Sequence, residues 1–145
     1  MAAVTRIVVG VDGSEGARDA LKWAAGEARF RDADLEVVHA WSVPYVLGFP
    51  YTAANLDPAW VRDSAQATLD AAIASLDRAD PPIRVEPLLI NGGAASAILE
   101  VAKGAELVVV GSRGLGGFSG LLLGSVSHQV AHHAPCPVVI VPPEA

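Results

Sequence analysis

Cysteine, lysine and positive charge are all scarce in this sequence. Among 145 residues there is one cysteine, Cys136, and the only lysines are Lys22 and Lys103. A single cysteine cannot form an internal disulfide and gives no cysteine-based metal cluster. Because Cys136 lies between two prolines at a predicted strand start, we expect it to fill a small apolar space rather than to act in redox chemistry. The net charge of -6 and the lack of a basic stripe disfavour nucleic acid as a partner.

Long hydrophobic runs are absent as well. No apolar stretch approaches the ~18 residues that a membrane span needs, so no membrane association is expected. The apolar stretch near the N-terminus is too short for a signal peptide. Hydrophobic residues make up 52% of the chain and charged residues 18%, a composition that argues against disorder. These features predict one cytoplasmic domain over residues 1–145, long enough to bury its own core.

Two hydrolytic signatures are missing too. No Gly-x4-Gly-Lys-Ser/Thr loop occurs, and both lysines fall at predicted surface positions of helices, so the usual phosphate-loop machinery is absent. Without a Gly-x-Ser-x-Gly motif, the sequence does not support a serine hydrolase. His128 and His132 stand four residues apart, but no glutamate follows the first and no third ligand is near, which favours an exposed helix face over a zinc site. His39 is expected to be a packed, hydrogen-bonded residue.

What the sequence does contain is a regular alternation of strands and helices. Apolar runs predict strands over residues 6–11, 35–40, 83–90, 106–110 and 138–141. Helical spacing and capping residues predict helices over residues 15–31, 58–78, 94–103 and 124–133. Five strands with intervening helices predict a single doubly wound α/β domain, whose parallel sheet is covered by helices on both faces.

The most informative pattern is Gly111-x2-Gly114-x9-Gly124-Ser125, which follows an apolar strand and leads into a helix. Glycine allows a sharp turn and a close backbone approach that a Cβ would forbid. A helix N-terminus offers unpaired N–H groups and partial positive charge to an anion. In parallel sheets, ligands bind beyond the C-terminal ends of the strands. The pattern indicates a phosphate site, and two ordinary loop turns are the alternative.

The segment from Trp41 to Asp57 shows no regular pattern. It contains prolines, glycine and four aromatic residues between a predicted strand and a predicted helix. Long connections of this kind are often functional. The segment could therefore cover the predicted phosphate site as a lid, or its aromatic residues could pack on the domain flank or on a second subunit.

With Val11-Asp12-Gly13-Ser14 after the first strand, these glycines resemble the universal stress protein family, in particular its nucleotide-binding branch. The likeness runs from Ile7 to Val141 and includes the segments 124–127 and 134–138. It implies a five-stranded parallel sheet in the order 3-2-1-4-5 and ATP bound where the strand order reverses. It also implies a homodimer formed by antiparallel pairing of the last strands, through Val138, Val139, Ile140 and Val141.

The resemblance also assigns site residues. Asp12 would lie near the ribose or a phosphate-bound Mg²⁺, and the backbone of Ala40 would meet the adenine edge. The remaining positions around the base and ribose would be Gly10, Val11, Val110 and Gly111. The phosphates would be held by Gly114, Gly124, Ser125, Val126 and Ser127. Arg113, inside the first glycine turn, is added here on its position alone, and Asp12 could instead serve only an Asx-type turn.

Three functions remain open at this stage. The first is an ATP-binding stress protein that acts as a dimeric switch or scaffold with slow or no hydrolysis. The second is an enzyme, at most a weak ATPase or a phosphotransferase. The third is a protein that binds another adenine nucleotide such as cyclic AMP, whose single phosphate would leave the end near Gly124 and Ser125 partly empty.

Overall fold

The computed structural model describes residues 4–43, 45–46, 49–50, 57–76, 82–114 and 123–143. Its parallel strands are β1 (Arg6–Gly10), β2 (Asp34–Trp41), β5 (Val85–Asn91), β6 (Leu107–Gly111) and β7 (Val138–Val141), and a short antiparallel pair comprises β3 (Tyr45–Val46) and β4 (Phe49–Pro50). The helices are α1 (Glu15–Arg31), α2 (Pro58–Ala74), α3 (Ala94–Val101) and α4 (Ser125–His133).

The five parallel strands lie in the order β5-β2-β1-β6-β7. Numbered along the chain as parallel strands, this is the predicted order 3-2-1-4-5, and the α/β prediction is confirmed. The order reverses between β1 and β6, which pair in register with Val8 opposite Val108. The C-terminal ends of these two strands therefore flank the crevice in which such sheets bind ligands.

Alternate side chains of the strands feed two hydrophobic clusters, one on each face of the sheet. Ile7 and Val9 point to the face covered by α1 and α2, where Leu69 of α2 is fully buried. Val8 points to the other face, where it packs with Ile98 of α3 and Val130 of α4. Successive side chains of a strand point to opposite faces of the sheet. A parallel sheet that is covered by helices on both sides therefore needs apolar residues on both faces. No helix in the described part of the chain is long and apolar enough to cross a membrane.

The predicted element bounds agree with the structure to within two residues, except in two places. The second helix was expected to reach residue 78, but α2 ends at Ala74, and residues 77–81 lie outside the described part. The segment after Trp41 was expected to lack regular structure, yet β3 and β4 form a hairpin in which Tyr45 faces Pro50. The segment was expected either to cover the site as a lid or to pack on the domain flank or on a second subunit. Both expectations concern mainly residues 44, 47–48 and 51–56, which lie outside the described residues.

At the opposite end of the sheet, Arg6 joins three elements. Its guanidinium forms an ion pair with Glu36 of β2, and it donates to the carbonyls of Val101 at 3.2 Å and Lys103 at 2.6 Å. Val101 is the last residue of α3 and Lys103 follows it closely, and a cation is favourable at this end of a helix. The Arg6 side chain is only 28% exposed, so solvent screens these bonds incompletely. Arg6 therefore fastens the end of α3 to the sheet.

Replacing Arg6 by methionine is expected to lower the free energy of unfolding by about 1–3 kcal/mol, because three hydrogen bonds of a charged, partly buried group are lost. The midpoint of urea unfolding, followed by circular dichroism, measures this. Arg84→Met is the matched control, because Arg84 and Glu86 form a longer, exposed pair at 3.9 Å. We expect a change below about 0.5 kcal/mol there. Equal losses in the two variants would contradict the role given to Arg6.

Cys136 is half-buried against the cluster on the α3/α4 face, as expected for a small apolar residue. Burial raises the pKa of its thiol, and the nearby charge of Arg6 opposes this in part. A raised pKa leaves less thiolate at neutral pH, so alkylation by iodoacetamide should be slower in the folded chain than in urea. The rate in the folded chain should rise as the pH increases. Mass spectrometry of timed samples measures both rates, and a folded rate equal to the unfolded one would contradict this.

Candidate functional site

A cavity of about 470 Å³ opens at the C-terminal ends of β1 and β6. Eleven of the twelve predicted site residues line it: Gly10, Val11, Asp12, Val110, Gly111, Arg113, Gly114, Gly124, Ser125, Val126 and Ser127. The structure thus brings both glycine turns and the end of the first strand to one place. The twelfth residue, Ala40, lies elsewhere.

Ala40 is near the end of β2, opposite Ile90 of β5. It is half-buried against the cluster that contains Ile98 and Val110, two residues that do line the cavity. Ala40 itself is not among the lining residues. Its predicted backbone contact with adenine stays a prediction, and it would require a ligand that reaches beyond the cavity as the structure shows it.

Gly111 serves the packing of α1 on β6. A Cβ on Gly111 would lie 2.9 Å from the carbonyl oxygen of Gly16, in the first turn of α1. A Cβ on Gly16 would in turn lie 2.8 Å from the carbonyl oxygen of Arg113. Because these neighbours are backbone atoms, neither contact can be relieved by turning a side chain. Two glycines thus allow the helix to start directly above the strand end, and Gly16 was not recognised in the sequence.

Gly114 and Gly124 differ in the space that they leave for a side chain. A methyl group on Gly114 would overlap Oδ2 of the Asp12 carboxylate, so the two cannot occupy their present positions together. A Cβ on Gly124 would meet only the Arg113 backbone at 3.4 Å and atoms further away. The second turn therefore has room for a small substituent, whereas the first turn has none unless Asp12 moves.

Hydrogen bonds join the two glycine turns. The backbone N–H of Gly124 donates to the carbonyl of Ser112 at 2.7 Å. The hydroxyl of Ser127, a buried residue, donates to the same carbonyl at 2.8 Å and lies 3.1 Å from the carbonyl of Gly124. Its single proton is therefore engaged within the chain. What Ser127 can offer to a phosphate is its backbone N–H rather than its hydroxyl.

Helix starts supply further donors. α4 begins at Ser125 and α3 at Ala94, and the preceding residues, Gly124 and Gly93, give no side-chain cap. α1 differs, because the hydroxyl of Ser14 accepts from the backbone N–H of Ala17 at 3.2 Å. The first turns of α3 and α4 therefore present N–H groups and positive dipole ends to the cavity.

Asp12 occupies the end of the first strand. Its Oδ1 accepts from the backbone N–H of Ser14 at 2.9 Å, which forms the Asx-type turn considered as an alternative. Its Oδ2 lies directly against Gly114. Mg²⁺ is commonly held by one or two carboxylates together with phosphate oxygens of a ligand. Within the described residues, no group of three or more His, Cys, Asp or Glu side chains could hold a metal by itself.

The histidines differ from one another. Nδ1 of His39 donates to the carbonyl of Val11 at 2.8 Å, so His39 is the packed, hydrogen-bonded residue that was expected. His128 is exposed, as expected, but it also lines the cavity, which the sequence analysis did not predict. Its ring stacks on His132, with centroids 5.6 Å apart and planes at 18°. Other lining residues that the sequence did not indicate as site residues are Ser14, Ala17, Ala94, Ile98 and Leu123.

Known proteins resemble this chain in sequence and in structure. A universal stress protein of Mycobacterium tuberculosis is 38% identical over 141 residues, which are 93% of this chain and 46% of that protein. The chain thus spans about half the length of the curated relatives it matches. A solved universal stress protein in complex with cAMP is 28% identical, with a TM-score of 0.63 and coverage of 99% of this chain and 100% of that one.

A second solved structure, the universal stress protein from Archaeoglobus fulgidus in complex with dAMP, is 25% identical with a TM-score of 0.57. The match covers 94% of this chain and 97% of that one. The sequence profile of the Universal stress protein family matches residues 3–142, nearly the whole chain. This chain therefore belongs to the universal stress protein family.

Proposed function

We propose that the cavity binds ATP and that the chain acts as a dimeric, nucleotide-dependent switch or scaffold with slow or no hydrolysis. The observation that carries this proposal is the joining of two glycine turns to the uncapped start of α4 in one cavity. The phosphates would lie at Gly114, Gly124 and the first turn of α4, where backbone N–H groups can reach them.

The cavity volume and the ligands of related structures support binding of an adenine nucleotide. Pockets for small molecules and cofactors measure about 300–1,000 Å³, and this one holds about 470 Å³. Ile98, Val110 and Val126 give one part of the wall an apolar surface suited to a base. Two related structures contain cAMP and dAMP, so an adenine nucleotide fits folds of this family.

Mg²⁺ is proposed as the companion of ATP. Asp12 would hold it through its carboxylate, together with phosphate oxygens. When bound, the ion would neutralise phosphate charge. Asp12→Asn should then weaken ATP binding in the presence of Mg²⁺ more than in the presence of EDTA.

The ionisable groups of the cavity argue against rapid hydrolysis. The ionisable residues among the described lining residues are Asp12, Arg113 and His128, and no lysine is among them. Lys103 pairs with Glu100 at 2.9 Å, away from the cavity. A phosphate-release assay with Mg²⁺ and ATP tests the weak ATPase and phosphotransferase alternatives. Sustained turnover that Asp12→Ala abolishes would replace the switch proposal by an enzyme.

Cyclic AMP is the second candidate ligand, because a 28% identical structure is a complex with cAMP. A nucleotide with one phosphate would contact fewer of the donors around Gly124 and Ser125 than ATP would. Competition between ATP and cAMP at fixed protein concentration distinguishes the two. Tighter binding of ATP is expected, and tighter binding of cAMP would reverse the assignment.

The proposed homodimer forms through β7. Val138, Val139, Ile140 and Val141 are each half-buried in the single chain, and β7 is an edge strand. The other edge strand, β5, carries Glu86 and Pro87 as exposed residues. Charge and proline protect an edge from pairing, and the described residues of β7 have neither. Pairing is therefore expected at β7 and not at β5.

Mass spectrometry of nucleotide released by acid from freshly purified protein tests the proposal directly. Calorimetry with ATP, after removal of any bound nucleotide, supplies the affinity. Retained ATP or ADP, or a measurable affinity, supports the site. An empty protein that also fails to bind ATP would mean that the glycines form only turns, and the chain would then have to be studied as an interaction module.

A further inference from the structure

We propose that His128 contacts the phosphates of the bound nucleotide and that its protonation couples nucleotide affinity to pH. The inference rests on the proposed function of the cavity. His128 lies at the end of the first turn of α4, three residues after Ser125, and it is one of the residues that line the cavity with both glycine turns. It is the only histidine among the described lining residues.

The charged groups that face His128 across the cavity come from two other elements. Asp12 follows β1 and Arg113 follows β6, and both line the same cavity. α3 packs against α4 and contributes only Ala94 and Ile98 to the lining, both apolar. The charged residues near the other end of α3, Glu100 and Lys103, pair with each other.

On its own helix His128 meets one titratable neighbour, His132, through the stacked rings. His133 lies edge-on to His132, with centroids 5.5 Å apart. β7, which also packs against α4, carries only valine and isoleucine. Asp12 is therefore the one acidic group that lines the cavity with His128 in the described residues, and Arg113 and His132 oppose a further positive charge.

A phosphate bound beside His128 brings negative charge next to its imidazole ring, and a nearby opposite charge favours the protonated form of the ring. Proton uptake by His128 should then accompany nucleotide binding, and the extra affinity is full at acidic pH and is lost as the pH rises. Histidine changes charge between about pH 5 and pH 8, so the effect lies in an accessible range.

The test measures ATP affinity by calorimetry at about pH 6 and about pH 8, in two buffers of different ionisation enthalpy. The variants are His128→Gln and, as the matched control, His132→Gln, which lies one turn further along α4 and does not line the cavity. The wild type should bind ATP about five- to tenfold more tightly at the lower pH and take up a fraction of a proton. The titration of ATP itself is common to all three proteins and cancels in the comparison.

His128→Gln should lose most of the pH dependence and the proton uptake. His132→Gln should keep both. Equal pH dependence in all three proteins would overturn the role of His128 and leave the ATP site intact. Equal loss in both variants would assign the effect to the stacked pair rather than to a phosphate contact, which also overturns it. Absence of ATP binding by the wild type at either pH would refute the proposed function and this inference with it.

Discussion

Replacing Gly114 by valine is expected to weaken ATP binding by about 100-fold, a loss of about 2.7 kcal/mol. The first side-chain carbon at this position would occupy the space of Oδ2 of Asp12. The carboxylate must therefore turn away, and the two valine methyl groups enter the space where phosphates are proposed to lie. Calorimetry with ATP and Mg²⁺ measures the loss. Because Gly114 is exposed, the variant should fold.

A glycine far from the cavity provides the control. Gly26 lies inside α1, and a Cβ there would meet nothing within 4 Å. Gly26→Ala should raise the free energy of unfolding by about 0.5–1 kcal/mol, because alanine favours a helix, and should leave ATP affinity unchanged. Wild-type affinity in a folded Gly114→Val protein would contradict the proposed position of the phosphates.

A double-mutant cycle can separate the effect of Asp12 on ATP affinity from the effect of Gly114. Gly114→Ala adds a single methyl group, which overlaps Asp12 in the present structure. In an Asp12→Ala background that methyl group has room, so its effect on ATP affinity should become smaller. Non-additivity of the two changes reports their contact. Additive losses would mean that Gly114 acts on the nucleotide without Asp12.

The sheet could be predicted from sequence because its strands are apolar on both faces. Val8 and Val9 point to opposite clusters, and both are fully buried, which leaves a continuous hydrophobic run in the sequence. The hairpin at Tyr45–Val46 and Phe49–Pro50 has no such signal. Strands of two residues depend on pairing rather than on propensity, and the prolines around them suggested a loop. The end of α2 was missed because Ser75 is no strong helix breaker.

The site was predictable where its residues are neighbours in sequence. The glycine spacing predicted the two turns that line the cavity, and the resemblance to the family placed Asp12 beside them at the end of the first strand. Ala94 and Ile98 could not be found in this way, because α3 is an ordinary apolar helix that the crossover connection brings to the cavity. Gly16 reads as a helix residue until its close contact with the strand end at Gly111 is known. His128 and His132 look alike in the sequence, and only the structure shows that His128 lines the cavity and His132 does not.

The exposed edge of β7 has a defined set of hydrogen-bonding groups. The carbonyl of Pro137 accepts from Val108, and that of Val141 accepts from Ser112, so these residues face β6. Alternate residues of a strand direct their backbone groups to opposite sides. The N–H and C=O groups of Val138 and Ile140 therefore face outward, away from β6, where a second copy of the chain could pair with them.

Ile140→Pro should convert the proposed dimer to a monomer. We expect the dissociation constant to rise about 100-fold or more, and each tenfold step corresponds to about 1.4 kcal/mol of association free energy. Proline removes an outward N–H in both copies, because a two-fold interface contains each residue twice, and it is tolerated at a sheet edge. Ile140→Ala is the control: it removes the same apolar packing but keeps the N–H, and it should remain dimeric. Sedimentation equilibrium measures both. A monomeric wild type at micromolar concentration would contradict dimerisation, and a dimeric Ile140→Pro protein would move the interface away from β7.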